Sequence, residues 1–323
     1  MKNSFQPAVL IIAYRRVKGI TQILQICKEN NVHRIYVALD GPKKGHSDGY
    51  NDNLKIRQIV ENFQKKYSGK VFMLFRDQNF GCAASCLSAC DWVFEKEKDV
   101  IILEDDCIPS KDFFTFARYS LDVLNRNDDV WLACGTQFAP KINQIDSWSL
   151  SKYALIWGWV TNQTNWKKIS QAIRVGNQIQ KKDISIWERT YWNQGSRRAY
   201  SGWKDVWDTI LLQQMISNDK YSILPSEPLV SNIGDDLSAT HTLEKSPWLH
   251  MNFGKFTVSE NAPIISREND RWLRKNFYGI SLRHLLTTKI SLMRDFLNFA
   301  NVPFRPLLER WDFAESDRNI DQN

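Results

Sequence analysis

The amino-acid sequence predicts an α/β protein: a Rossmann-like, mainly parallel central sheet with helices on both faces and a C-terminal helical extension. Two observations carry this. Strand and helix patterns alternate regularly through the first 135 residues, and ionisable residues stand directly after the strand candidates. Alternation of this βαβα kind implies a doubly wound sheet. In such sheets ligands sit outside the carboxyl ends of the strands, which is where those residues would project.

The elements follow in order. Val9–Tyr14 reads as a strand, and Ile20, Ile23, Leu24 and Cys27 mark one face of a helix. Arg34–Leu39 is a second strand, followed by a helix around Leu54, Ile56, Ile59, Val60 and Phe63. Val71–Phe75 precedes a helix from Cys82 to Glu97, on which Cys82, Cys86 and Cys90 form an i, i+4, i+8 stripe. Val100–Leu103 is the fourth strand, Phe113–Leu124 the next helix, and Val130–Cys134 a fifth strand. After Gly135 the regularity breaks. Tyr153–Val160 is strand-like and aromatic, Trp203–Ser217 reads as a helix, and Tyr221–Leu224 as a strand ending at Pro225. Pro228–Ile233 leads into a polar loop, Gly234–His241. Without repeats or a low-complexity linker, residues 1–135 and 136–265 read as two halves of one domain.

From Ser266 onward basic residues outnumber acids and interleave with Trp272, Phe277, Leu285, Leu286, Ile290 and Phe296. Residues 266–323 therefore read as a basic helical extension. It either lies on an anionic membrane surface or packs on the main domain with its basic face in water.

Composition excludes several classes. The chain has 323 residues, 43% of them hydrophobic, and a net charge of +7. Lysine and arginine are dispersed and no nucleic-acid motif is present, so nucleic acid is not an expected partner. None of the six cysteines occurs as CxxC, and none has a histidine at zinc spacing. The cysteine stripe reads as a buried small-residue face, and the free thiols suit a reducing cytoplasm. No signal peptide or membrane-length apolar stretch is apparent, so the expected location is cytoplasmic, peripheral at most to the inner face of the membrane. GxGxxG, GxxxxGK[ST], HExxH and GxSxG are all absent. Thirteen tryptophans, mostly between Trp131 and Trp272, provide either core volume or a stacking surface for a ligand.

The most informative segment is Val100-Ile101-Ile102-Leu103-Glu104-Asp105-Asp106, a buried-type strand that ends in three consecutive acids. Three carboxylates so close repel one another and resist desolvation. Either they splay into solvent as a turn, or they hold a divalent cation and a charged ligand. Arg15 and Arg16 follow the first strand, Asp40 the second, and Arg76 and Asp77 the third, so basic and acidic groups converge on one edge. That mixture suits a diphosphate with a metal.

Taken in series, the motifs resemble those of GT-A glycosyltransferases of the β-1,2-N-acetylglucosaminyltransferase I type and bacterial nucleotide-diphospho-sugar transferases. The series is Ile12–Arg16, Val37–Gly41, Asn79–Cys82, Ile101–Asp106 with Phe113-Phe114, Trp157-Gly158-Trp159, Val206–Asp208, and Asn232–Gly234 through Thr242. The resemblance implies a metal-dependent, inverting transfer of a sugar from a nucleotide-diphosphate donor, UDP foremost, to a hydroxyl of a glycan, lipid-linked or protein acceptor. It further implies Arg15 and Asp40 as nucleotide contacts, with Asn79, Glu104, Asp105 and Trp159 on the nucleotide-sugar side. Asp106 becomes the Mn²⁺ or Mg²⁺ ligand, with His241 completing the metal or diphosphate site. Asp208 takes the place of the general base, and Asp205, three residues earlier on the expected helix, is its competitor. Asp-Gly-Pro at 40–42 also reads as a plain turn, and His241 as a structural hydrogen-bond partner. A sugar-nucleotide nucleotidyltransferase and a non-catalytic glycan-binding relative are the alternatives. The first is weakened by the lack of glycines in Ala13–Val17.

Overall fold

The computed structural model describes residues 7–45, 47–140, 147–234, 246–259, 261–280 and 306–317. Its centre is an eight-stranded sheet in the order β3-β2-β1-β4-β8-β6-β9-β7. The strands are β1 (Ala8–Ala13), β2 (Arg34–Leu39), β3 (Lys70–Phe75), β4 (Asp99–Glu104), β6 (Val130–Cys134), β7 (Trp148–Ser151), β8 (Trp159–Asn162) and β9 (Tyr221–Pro225). Strands β3, β2, β1 and β4 pair in parallel, β8 runs antiparallel between β4 and β6, and β9 returns parallel to β6. Two short strands, β5 (Cys107–Pro109) and β10 (Val230–Asn232), form a separate antiparallel ribbon immediately after the acidic triplet.

Helices α1 (Val17–Glu29), α2 (Ser47–Lys66) and α4 (Lys111–Leu124) cover one face of the sheet. Helices α3 (Cys82–Phe94), α5 (Gln163–Val175), α6 (Ile186–Tyr200), α7 (Asp208–Ser217) and α9 (Pro306–Asp317) cover the other. The expected α/β architecture is therefore the observed one. Along β1 successive side chains serve opposite cores: Ala8, Leu10 and Ile12 one, Val9, Ile11 and Ala13 the other. A strand covered on both faces must be apolar throughout.

Three expectations need correction. The aromatic run Tyr153–Val160 is not one strand, because β8 begins only at Trp159. Gly158 takes a positive φ of 68° ahead of it, and a Cβ there would lie 2.8 Å from Val230, so the chain turns before it pairs. The helix expected over Trp203–Ser217 begins at Asp208. Between these lie two unforeseen helices, α5 and α6, each with a side-chain N-cap, from Asn162 to the Asn165 N–H and from Ser185 to the Glu188 N–H.

The C-terminal part described here is a short helix α8 (Arg267–Trp272), a π turn (Leu273–Phe277) and α9. Helix α9 docks on α3 and α5. The indole N–H groups of Trp166 and Trp311 each donate to Asp91 at 2.7 Å, and the Arg174 guanidinium lies 3.8 Å over the Trp311 ring. Much of the basic segment expected to form the amphipathic helix (281–305) lies outside the described residues. Among the described residues no helix is long and apolar enough to cross a membrane.

Candidate active site

The sheet order places a topological switch point between β1 and β4. From β1 the chain builds outward to β2 and β3, then crosses to the far side of β1 to lay down β4. The loops leaving β1 and β4 diverge there and open a crevice at their carboxyl ends. Those loops carry Arg15-Arg16 and Glu104-Asp105-Asp106.

The three acids of the triplet face different ways and do different things. The Asp105 carboxylate is turned into the β1–α1 loop. One oxygen accepts the backbone N–H groups of Tyr14, Arg15 and Arg16 at 2.8, 3.2 and 3.2 Å, and the other accepts the Arg16 guanidinium at 3.0 Å. Helix α1 presses against the same joint: a Cβ on Gly19 would lie 1.7 Å from the Asp105 carbonyl oxygen, so only glycine fits. Asp105 was expected to meet the ribose or donor sugar. Its oxygens are instead committed to fixing the loop that frames the crevice.

Asp106 faces the opposite wall. Its carboxylate pairs with Arg16 at 3.2 Å and accepts the Cys107 thiol at 3.3 Å. Its backbone carbonyl accepts the Ile233 N–H at 2.9 Å. Pairing of β5 with β10 brings Gly234 so close that a Cβ there would sit 2.6 Å from the carboxylate. Burial raises the Asp106 pKa and the Arg16 charge opposes the rise.

Glu104 ends β4 on the α3 side, and its carboxylate makes no hydrogen bond with a described residue. Burial, then repulsion from Asp106, Asp105 and Asp208, raises its pKa to about 8. Its carboxylate and the thiols of Cys82 and Cys86 lie within 4.8 Å of one another, the one such trio of ligand-type side chains among the described residues.

The β2 end is similarly committed. Asp40 is buried, and its carboxylate accepts the N–H groups of Gly41, Phe80 and Gly81 and the Asn79 amide at 3.0, 3.0, 3.2 and 3.0 Å. Asn79 also donates to the Gly41 carbonyl at 2.9 Å. Burial still raises the Asp40 pKa to about 6 against those hydrogen bonds. Asp40 and Asn79 thus tie the β2 and β3 exits together. Arg15 reaches across the mouth to Asp52 on α2 at 3.3 Å, and its side chain stays partly exposed.

The second half contributes Asp208, at the first position of α7 and partly exposed. Burial raises the pKa values of Glu104, Tyr191 and Tyr278, and the Asp208 charge adds to each rise. One of the Asp208 oxygens accepts the Thr209 N–H at 2.7 Å. Asp205 is a correction. It precedes α7 rather than lying one turn back on the same helix, and its carboxylate accepts the Cys82 and Ala83 N–H groups at 2.7 and 3.2 Å. It caps α3, whose own N-cap position is Gly81 with φ of 83° and no side chain to offer. Trp159 is a second correction. It is 1% exposed and packed between Trp166 and Trp207, so it is core and offers no face to a ligand. His241, Asp235 and Asp236 lie outside the described residues.

The residue that sequence reasoning passed over is Arg16. The Arg15-Arg16 doublet signalled a cation at the β1 end, but only the turn geometry shows that the second arginine meets both aspartates. Tyr191 and Tyr278, which feel the Asp208 charge, gave no sequence signal.

Glu104 and Asp106 bring carboxylates to this end of the sheet, and the described cation among them, Arg16, is shared with Asp105. With Asp208 they do not form a trio of oxygens within 4.8 Å of one another. Mg²⁺ and Mn²⁺ typically use one or two carboxylates and complete their shells with waters and substrate phosphates. A splayed triplet is compatible with that ligand count, with Asp106 held between Arg16 and Gly234. The Cys82 and Cys86 sulfurs beside Glu104 would favour a softer ion.

No protein-family profile matches the chain, and no curated protein sequence is similar to it. Among solved structures, a UDP-glucose pyrophosphorylase complexed with UDP-glucose is similar over 68% of this chain and 90% of its own, with 8% identity and a TM-score of 0.37.

Proposed function

We propose that this chain is a GT-A-type glycosyltransferase that binds a nucleotide-diphosphate sugar at the β1/β4 switch point and transfers the sugar to a hydroxyl acceptor. The observation that carries the reading is the division of labour among the acids. Asp105 fixes the loop, Asp106 pairs with Arg16, Glu104 is repelled by both aspartates, and the Asp208 charge reaches Glu104 from the second half of the chain. The ordered motif resemblance supports the same reading.

In this reading Arg16 neutralises part of the phosphate charge, and Asp106, with Glu104 beside it, would hold Mn²⁺ or Mg²⁺. When bound, the ion would stabilise the departing diphosphate. Asp208 takes the proton of the acceptor hydroxyl as its oxygen bonds to the anomeric carbon and the bond from that carbon to the diphosphate oxygen breaks. A base on the face of the sugar opposite the leaving group would give inversion. Tyr191 and Tyr278 beside Asp208 supply aromatic walls for the acceptor.

A nucleotidyltransferase would require the loop after β1 to cradle a triphosphate. Here the N–H groups of Tyr14, Arg15 and Arg16 already donate to Asp105. The two reactions differ in product. Incubation with UDP-sugars, Mn²⁺ and a panel of glycan acceptors should release UDP, and chelator should stop it. Release of pyrophosphate from UTP and a sugar phosphate, without UDP release from any sugar nucleotide, would replace this reading with nucleotidyl transfer.

A further inference from the structure

A cavity of about 340 Å³ lies at the opposite edge of the sheet from the acids. Its placement follows from topology. Strand β9 runs parallel to β6, and both β6 and β4 run antiparallel to β8. Tyr221, which begins β9 and lines the cavity, is therefore on the edge where β4 starts. Helix α7 spans the two sites, with Asp208 at its crevice end and Ile216 at the cavity end. Ten residues of helix put these ends about 15 Å apart.

One wall is a stripe of arginines. Arg267, Arg271 and Arg274 follow one another at i, i+4 and i+7 along α8 and the π turn, so they share a face, and all three line the cavity. None of them pairs with a carboxylate of a described residue. The other charged groups in the wall are better compensated. Lys152 pairs with Glu188 at 2.8 Å, Lys220 with Asp129 at 2.8 Å, and Asp219 with Lys181. Asp270 accepts the Ser151 hydroxyl at 2.5 Å and the Lys152 N–H at 3.4 Å, and Asp183 is an exposed carboxylate in the lining without a cation partner among the described residues. Tyr153, Tyr221, Ile216 and Ile265 form the apolar part of the lining. Three guanidinium forks on one side of a concave, partly apolar space match the bidentate geometry of phosphate oxygens. The volume is in the range of small-molecule sites.

We infer that this cavity is a second binding site, for a small phosphate-bearing molecule, separate from the transfer crevice. The inference does not depend on the reaction proposed above. Calorimetry with pyrophosphate in the presence of chelator tests it, using the full chain, the triple variant R267A/R271A/R274A and the crevice variant R16Q. Arg267 and Arg271 are exposed and Arg274 partly so, and none belongs to the hydrophobic core. A saturable pyrophosphate site is expected in the full chain, retained in R16Q and weakened by at least about tenfold in the triple variant. An unchanged affinity in the triple variant, a loss confined to R16Q, or no saturable binding would overturn the inference. So would binding to phosphatidylglycerol vesicles through the same arginines without pyrophosphate binding, which would assign them to a membrane surface.

Discussion

Asp205 caps helix α3 through Cys82, a residue 123 positions away in the chain, with its carboxylate 2.7 Å from the Cys82 N–H. The contact joins the entry to α7 to the helix that flanks Glu104. It also separates two aspartates that stand three residues apart and look interchangeable in sequence. Replacing Asp205 by Ala is expected to cost about 1–2 kcal/mol of stability, as loss of an N-cap does, with Asn largely rescuing it. Asp208→Asn is expected to leave the melting temperature nearly unchanged and lower kcat by about a hundredfold or more. Melting curves and turnover of both variants check this, and a reversed pattern would make Asp205 the base.

Asp105 gathers three successive N–H groups and a guanidinium. Asp105→Ala strands these buried donors and is expected to destabilise the fold by about 3 kcal/mol or more. Denaturant titration measures it. Gly19→Ala, which would drive a methyl into the Asp105 carbonyl, should be as damaging. Wild-type stability in both variants would remove the locking role.

Glu104 makes the metal-free protein sensitive to pH. Its folded pKa, raised from 4.5 to about 8, exceeds its unfolded value. The native state therefore retains a proton that the unfolded chain releases, and the group's contribution is full below pH 4.5 and lost as pH rises through 8. Glu104→Gln cannot lose that proton. The stability difference between variant and wild type, measured in chelator, should grow in favour of Gln from mildly acidic pH to pH 8 and then level off. A pH-independent difference would contradict this.

Asp106 lies between Arg16 and the Gly234 end of the β5–β10 ribbon. Asp106→Asn is expected to weaken Mn²⁺-dependent nucleotide binding by about tenfold or more, while binding in chelator stays as weak as in the parent protein. Fluorescence titration of a UDP-sugar with and without Mn²⁺ reads both. Equal Mn²⁺ dependence in the two proteins would move the ion to other ligands, Glu104 with Cys82 and Cys86 first.

The parallel half of the sheet was legible because each of its strands is an apolar run bounded by helix-type spacing, and β2 and β6 match their expected ends. Helix α5 was equally legible in principle. Asn162 caps it, Gly176 ends it in the left-handed region, and Trp166, Ile169 and Ile173 keep helical spacing. The aromatic run before it drew the reading towards sheet instead. Charge at the site could be read from the strand ends, but orientation could not. Asp40, Asp105 and Asp205 carry the same side chain as Asp106 and Asp208. Only the folded loops show that the first three are consumed by backbone N–H groups. Trp159 shows the same limit for aromatics, since a stacking wall and a core residue look alike until burial is known.

The position of β8 bears on how the chain is made. Val100, Ile101 and Ile102 of β4 pair with Thr161, Val160 and Trp159, so one edge of β4 has no partner until some sixty residues later in the chain. At ribosomal rates of about 5–20 residues per second that interval is several seconds. For that time an apolar strand next to the future crevice stands open to other chains. The segment between β4 and β8 thus sets how long that edge stays open to pairing with other chains.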